Sequence, residues 1–363
     1  MQIRGRGSIK SSLFCFEMEE KTSYPLKSIT PLEAAKKYGW PLDRPKICEL
    51  VINFACNARC IFCYNPNFEP QWSKGELSLR DIAISLKKGR EEGAWFADIL
   101  GGEVTLRKDL PEIGRLARKM GYTAVQITTN GLLLSDYDYA KRLVDAGINV
   151  FRMSLHSARE ELSDKITGVP GGFRKTVKAL ENIVKLGCRA GINNVIFPIN
   201  YKYVEEVPPL VSGQLGIDAY LFISPHYLGA MKTNGDTYKI QYKDYVPYLR
   251  RAFKYFEDHN ITLESASLSN FVPCVLPEYA NLMAEWKYQK RDDLLFVPNE
   301  EPMRVYEMKE SQRMKADRCK ECVYADVCMG FEREYYNYFG GDEFKPLKEL
   351  PKEFPLKTYY NSD

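Results

Sequence analysis

Between residues 46 and 223, short apolar runs alternate with stretches in which apolar residues recur every three or four positions. This is the pattern of strand–helix units around a parallel sheet. Apolar runs at 47–54, 95–100, 123–129, 148–155, 189–197 and 218–223 predict six strands. Leu79, Ile82, Ala83 and Leu86 predict one helix face, and Leu110, Ile113, Ala117 and Met120 a second. Ser135 has the chemistry of an N-cap for a third helix ending near Gly147. Phe173, Val177, Leu180 and Val184 form the stripe of a fourth, which stops at Gly187. The segment 203–216, interrupted by Pro208 and Pro209, has only a weak helical pattern. Six units fall short of the eight of a closed barrel.

Beyond Pro225 the pattern changes. A helix is predicted over 244–259, followed by a stretch rich in proline, tyrosine and charge with two short strands at 294–297 and 304–308. The expected division is an N-terminal extension (1–45), an α/β core (46–264), a small second domain (265–335) and a C-terminal tail (336–363) whose prolines suggest an extended wrap.

Charge and composition exclude several classes. A net charge of +3 in 363 residues gives no concentrated basic face, so no nucleic-acid partner is expected. The apolar stretch at Leu13–Phe16 is too short for a signal peptide, and no run approaches the ~20 residues of a membrane span. A soluble, cytoplasmic protein without a membrane partner is the expectation. Of the ten cysteines, six fall in two tight groups with metal-ligand spacing, which favours metal binding in a reducing compartment over disulfides. Cys15, Cys48 and Cys188 stand alone; for Cys48 and Cys188 the expectation is an inert buried thiol.

The first group is Cys56-x3-Cys60-x2-Cys63, with Phe62 before the last thiol, directly after the first strand. Three thiolates from one loop can hold three irons of a 4Fe–4S cube, leaving the fourth iron to a small chelating molecule; structural zinc prefers four protein ligands. Here the chain resembles the radical S-adenosylmethionine (radical SAM) enzymes. The resemblance implies a partial (β/α)6 TIM-like barrel with an open side, a 4Fe–4S cluster on Cys56, Cys60 and Cys63, and S-adenosylmethionine chelated at the fourth iron. It implies reductive cleavage to a 5′-deoxyadenosyl radical that abstracts hydrogen from a substrate, with an electron donor such as a ferredoxin or flavodoxin.

Gly101-Gly102-Glu103, at the end of the second strand, is the second resemblance, to the segment that binds the amino group of the cofactor's methionine part. Physically, two glycines admit close backbone approach, and a carboxylate at a strand end suits an ammonium group. On the fourth strand Arg152, Ser154 and His156 share one face by two-residue alternation. Inward polar groups near a strand end are costly to bury unless they meet a ligand or one another. Ser154 matches the family's contact to the cofactor's ribose or carboxylate. His156 is the candidate catalytic residue, for substrate binding or proton movement, beside the alternative of a hydrogen-bonded rim histidine. Thr128, Asn130 and Asn194 are further inward polar candidates, and Leu221, Phe222 and Ile223 are candidates to pack on adenine or simply to fill the core.

The second group is Cys319-x2-Cys322-x5-Cys328, with Cys274 as the fourth ligand, a set that suits an iron–sulfur cluster or zinc. It resembles the auxiliary-cluster extensions called SPASM and, when shortened, twitch domains. A full SPASM domain continues with a further cysteine where this chain has Glu332. The resemblance therefore implies a small C-terminal domain with one second, auxiliary 4Fe–4S cluster. The substrate expected is a peptide or protein being modified, although few residues precede the first strand for a leader-binding domain. The alternatives are a small-molecule biosynthetic precursor of porphyrin, pterin or sugar type, and, from another class, a non-catalytic iron–sulfur electron carrier or zinc-bearing interaction protein.

Overall fold

The computed structural model describes residues 46–63, 75–263, 267–284, 293–298, 300–351 and 354–356. The expected extension 1–45, with Cys15, lies outside the described residues, as does the end of the tail.

Six strands lie side by side in chain order and pair in parallel: β1 (Ile47–Val51), β2 (Phe96–Leu100), β3 (Ala124–Thr129), β4 (Val150–Ser154), β5 (Arg189–Val195) and β6 (Tyr220–Ile223). Helices cover one face: α1 (Leu79–Glu91), α2 (Leu110–Lys119), α3 (Tyr137–Asp145), the short α4 (Glu160–Thr167) and α5 (Gly172–Lys185). Alternation along the strands sends Leu50, Ile99, Ile127, Phe151, Met153 and Ile192 towards those helices, where they pack with Ile82, Leu86, Ile113, Leu143, Ala179 and Ile183 in one core. α1 opens with a capping box: Ser78 Oγ accepts from Asp81 N, and Ser78 N donates to the Asp81 carboxylate, each at 3.1 Å.

The other strand face looks into the open barrel and carries polar side chains at matched levels. Glu49, Asp98 and Gln126 are in register, with Gln126 Nε2 donating to Asp98 Oδ1 at 2.9 Å. Thr128 pairs with Arg152, and one level nearer the strand ends Ser154 pairs with Asn193. The chain completes the sheet after α6 (Ala230–Tyr238) and α7 (Tyr242–Asp258): β7 (Leu268–Ser269) joins β6 in parallel, β8 (Leu294–Phe296) joins β1 in parallel, and β9 (Met303–Arg304) pairs antiparallel with β8. The resulting sheet has nine strands, mostly parallel, with β7 and β9 as its edges, the open partial barrel expected.

Several expectations are corrected. Residues 268–269, 294–296 and 303–304 fall within the expected second domain yet belong to the barrel sheet; buried Asp293 fastens β8 there by accepting from Ile47 N at 2.9 Å. The strand expected over 304–308 ends at Arg304, where the run Val-Tyr-Glu-Met-Lys-Glu, rich in helix formers, becomes α8 (Val305–Ser311). The third helix is capped by Asp136, accepting from Tyr139 N, while the Ser135 hydroxyl donates to Leu132 O. On α5 the buried stripe is Thr176, Ala179, Leu180 and Ile183, and Val184 is exposed. The segment 203–216 forms a 3-10 turn at Tyr201–Glu206 and a π-helical turn at Pro209–Gln214. What remains of the C-terminal unit is the hairpin β10 (Arg313–Met314) and β11 (Phe331–Glu332), α9 (Arg333–Phe339) and the tail, which lies across it with Val323 N donating to Leu347 O at 2.9 Å.

Candidate active site

The cysteine loop leaves β1 and is held from four sides. At the end of β2, Gly102 N donates to Asn53 O and Glu103 N to Ala55 O, both at 2.8 Å, and Asn53 Nδ2 returns a bond to Glu103 O at 3.0 Å. At the C-terminus of α4, Thr167 O accepts from Arg59 N at 2.8 Å and Ile166 O from Ile61 N at 3.1 Å. At the start of α6, Ala230 N donates to Cys63 O at 2.8 Å, and past β3 Asn130 Nδ2 donates to Asn57 Oδ1 at 2.7 Å. A backbone with so many fixed bonds has little freedom to present its thiols in more than one way.

The same geometry explains the two glycines. A Cβ on Gly101 would stand 2.4 Å from Asn53 Oδ1, and one on Gly102 would stand 2.3 Å from Ala55 O. Their bareness therefore serves the packing of the loop onto β2. Glu103 also differs from expectation. It is fully buried, and its carboxylate accepts from Thr105 N, Thr129 Oγ1 and Asn130 N at 3.0, 2.6 and 2.7 Å, and from the Thr105 hydroxyl as well. The carboxylate is thus engaged by the protein, and it braces the β2 and β3 ends on which the loop rests.

The thiols lie in low dielectric close to one another. Burial pushes the Cys60 thiol up to about 12, and Cys63 and Cys56 charges push the same way; burial likewise raises Cys56, against a bond from Ala58 N to its Sγ at 3.4 Å. Crowded thiols in such surroundings become thiolates only beside compensating positive charge, which cluster iron provides. Three free cysteines on one clamped loop therefore fit an iron–sulfur cluster by donor type and number. Among the described residues no group of three or more His, Cys, Asp or Glu side chains stands ready to hold a metal ion.

His156, just past β4, is 3% exposed with its ring edge-on to Phe62 at 4.7 Å, and Phe62 meets Phe197 at 5.3 Å. Its Nδ1 accepts from Val195 N at 3.2 Å, which places the proton of a neutral imidazole on Nε2, and Nε2 is buried without a hydrogen-bond partner. Burial alone pushes this histidine down to about 3. Ser154 and Asn130 are half-buried at the strand ends facing the loop side. Asn194 is corrected: it is paired in level with Leu155 on the helix-facing side, with Nδ2 donating to Leu155 O at 2.8 Å, and Asn193 occupies the inward position beside Ser154. On β6, Leu221 and Ile223 share the inward parity, whereas Phe222 stacks on Tyr220 in the core.

Cys274, Cys319, Cys322 and Cys328 line one cavity with Lys315, Phe331, Phe344 and Pro346. Burial raises Cys274, with the other three thiols adding to the shift, and raises Cys328 to about 11. Gly330 N donates to Cys328 Sγ at 3.3 Å and Leu347 N to Cys322 Sγ at 3.4 Å, so the tail borders the cavity. Cys48 is fully buried with its thiol raised to about 12 by burial, and Cys188 is half-buried, in keeping with inert roles.

Two contributors escaped the sequence reading. Helix α4 is short and polar, with no long apolar stripe, yet its last carbonyls hold the loop. His226 was passed over, although it is one of only three histidines and lies just past β6 at the chemically active end of the sheet.

Residues 50–207 match the family model described as the Radical SAM superfamily. These residues form a radical SAM superfamily segment. The chain is 32% identical over 211 residues to a probable GTP 3′,8-cyclase of Saccharolobus islandicus, covering 56% of this chain and 65% of the relative. A probable GTP 3′,8-cyclase of Metallosphaera sedula is 32% identical over 201 residues, covering 53% and 59%. The chain thus spans less than two thirds of the length of these curated relatives. Among solved structures, Streptococcus suis SuiB bound to precursor peptide SuiA is similar with a TM-score of 0.59 and 17% identity, over 88% of this chain and 78% of that one. Native anSMEcpe with bound AdoMet follows with a TM-score of 0.57 and 18% identity, over 82% and 96%. These structural likenesses concern the fold. No helix among the described residues is long and apolar enough to cross a membrane.

Proposed function

We propose that this radical SAM chain holds a 4Fe–4S cluster on Cys56, Cys60 and Cys63, binds S-adenosylmethionine beside it, and takes a hydrogen atom from a substrate at the open strand ends of the barrel. When bound, the reduced cluster and S-adenosylmethionine supply the 5′-deoxyadenosyl radical. The observation that carries the reading is the clamped three-thiol loop, whose backbone is bonded to β2, α4 and α6. The chain's own residues then have distinct tasks. Glu103, through Thr105, Thr129 and Asn130, keeps the strand ends in place. Ser154 and Asn130 offer polar atoms to the cofactor's ribose and carboxylate. His156 offers a buried Nε2–H beside Phe62, and Phe62 with Phe197 keeps water from that corner.

Cys274, Cys319, Cys322 and Cys328 hold a second, auxiliary 4Fe–4S cluster in this reading, in a C-terminal unit of the twitch type. The substrate is a peptide or protein side chain. The reading is supported by the four cysteines that line one cavity in the C-terminal unit. The second reading, a small nucleotide-like precursor, is favoured by the 32% identity to probable GTP 3′,8-cyclases. Electrons come from a ferredoxin or flavodoxin.

The test is anaerobic reconstitution with iron and sulfide, addition of reductant and S-adenosylmethionine, and quantitation of 5′-deoxyadenosine with GTP or with candidate peptides. Stimulation by GTP would favour the nucleotide reading. Undiminished cleavage in the Cys56→Ala, Cys60→Ala, Cys63→Ala triple variant would overturn both.

A further inference from the structure

The connection from β6 to α6 touches both cysteine regions. At its far end Ala230 N donates to Cys63 O at 2.8 Å. At its near end His226 Nδ1 bonds to Glu332 Oε1, and Glu332 lies on the same β11 hairpin arm that follows Cys328. Glu332 is 6% exposed, so this is an enclosed carboxylate rather than a surface ion pair. Burial raises its carboxyl, but the charge and hydrogen bond of His226, with Arg313 and Asn270, more than offset burial and hold it below the usual range.

The pair is supported on both sides. Arg313 is fixed by donating to Gly330 O at 2.8 Å and to Asn270 Oδ1 at 2.9 Å. Asn270, at a left-handed φ of 64°, donates to Ser224 O at 3.3 Å and Pro225 O at 3.2 Å, gripping the residues just before His226. Tyr242 closes the frame by donating to Asn270 O at 2.7 Å. A histidine oriented by a carboxylate that is itself held by a third group is the arrangement by which proteins prepare an imidazole for proton transfer. The His226 side chain is 24% exposed, and its Nε2 has no hydrogen-bond partner among the described residues.

We propose that His226, oriented by Glu332, is an acid–base residue of this chain that takes a proton from an O–H, N–H or S–H group of a substrate lying between the two cysteine regions. With Nδ1–H donating to the carboxylate, the Nε2 lone pair is left to accept a proton. The substrate's X–H bond breaks, its electron pair stays on X, and the proton passes to Nε2; the imidazolium formed is matched by the Glu332 charge. The substrate's location rests on the function proposed above, but the state of His226 does not, and the test needs neither S-adenosylmethionine nor substrate.

Diethyl pyrocarbonate acylates an imidazole only through an accessible, unprotonated nitrogen. The chain has three histidines, so mass mapping of the cluster-loaded full chain at pH 7 resolves each one. His226 is expected to react about tenfold or more faster than enclosed His156, whose exposed nitrogen is absent. Glu332→Gln is expected to slow His226 several-fold, because the carboxamide no longer selects the Nδ1–H tautomer, while Glu332→Asp restores most of the rate. Exposed His259, whose Nδ1 lies 2.8 Å from Tyr255 O, serves as the unchanged internal standard of a folded chain. A His226 as slow as His156, or one that reacts faster in Glu332→Gln, would overturn the proposal, since either result means that Nε2 carries a proton and the pair only fastens the hairpin.

Discussion

In the loop after β1, three cysteines come from eight consecutive residues, whereas the C-terminal cavity gathers Cys274 from a distant segment onto Cys319, Cys322 and Cys328. The loop is secured by backbone bonds to strand and helix ends and by the Asn130 side chain, which donates to Asn57 within it. The cavity is bordered by the tail, which adds an N–H bond to Cys322 Sγ and the side chains of Phe344 and Pro346. In the proposed function, three donors leave the fourth iron of a cube to a chelating small molecule, and four donors leave none. The difference teaches that two cysteine sets of one residue type can differ in donor number and in how the chain gathers them while their thiols are all partly exposed.

The largest expected effect breaks the front site. Replacing Cys56, Cys60 and Cys63 by alanine should lower 5′-deoxyadenosine formation by about a thousandfold or more, because the reactant is no longer held at all. Cys274→Ala sharpens the contrast: iron content should fall from about eight to about four per chain, while the front cluster still assembles. Iron that stayed near eight would remove Cys274 from the cavity's ligand set.

Gly102→Ala probes the support beneath the loop. The added Cβ would meet the Ala55 and Phe54 carbonyl oxygens at 2.3 and 2.4 Å, backbone atoms that cannot step aside. A loss of about 1–3 kcal/mol in denaturant unfolding is expected, together with poorer cluster retention at the front and unchanged retention at the back.

The smallest effect concerns pH. His156 is held neutral by burial down to about 3, whereas an unfolded chain protonates it near the ordinary value of about 6.5. Between these values the unfolded state binds more protons. The contribution of His156 is therefore full above about 6.5 and declines as pH falls towards 3, with a slope of at most about 1.4 kcal/mol per pH unit. His156→Phe should flatten that dependence in unfolding curves at pH 5 and pH 7, and an unchanged slope would mean that His156 is not the group responsible.

Much of the barrel was legible because the six inner strands are long enough for apolar runs to stand out, and because the chemistry sits at their C-terminal ends. Cys56, Cys60 and Cys63 were legible by spacing alone. Other features were hidden for physical reasons. Strands β7 and β9 have two residues each, too few for alternation to register, and β8, expected over 294–297, carried no sign that it joins the barrel sheet. Asn193 and Asn194 are adjacent, and a one-residue difference in parity decides which of them faces the barrel. The carboxylate of Glu103 turns away from the open face because Thr105, Thr129 and Asn130 supply its donors, a convergence of three segments that no local pattern announces. The His226–Glu332 pair joins residues far apart in the chain, and Glu332 drew notice only as the residue standing where a SPASM cysteine would be.

The most direct test of the contrast is electron paramagnetic resonance of the reduced, reconstituted protein with and without S-adenosylmethionine. The account predicts that S-adenosylmethionine alters one cluster signal, that this response persists in Cys274→Ala, and that it vanishes in the Cys56, Cys60, Cys63 triple alanine variant. A response to S-adenosylmethionine that survived in the triple variant would place the open iron at the C-terminal cavity and contradict the account.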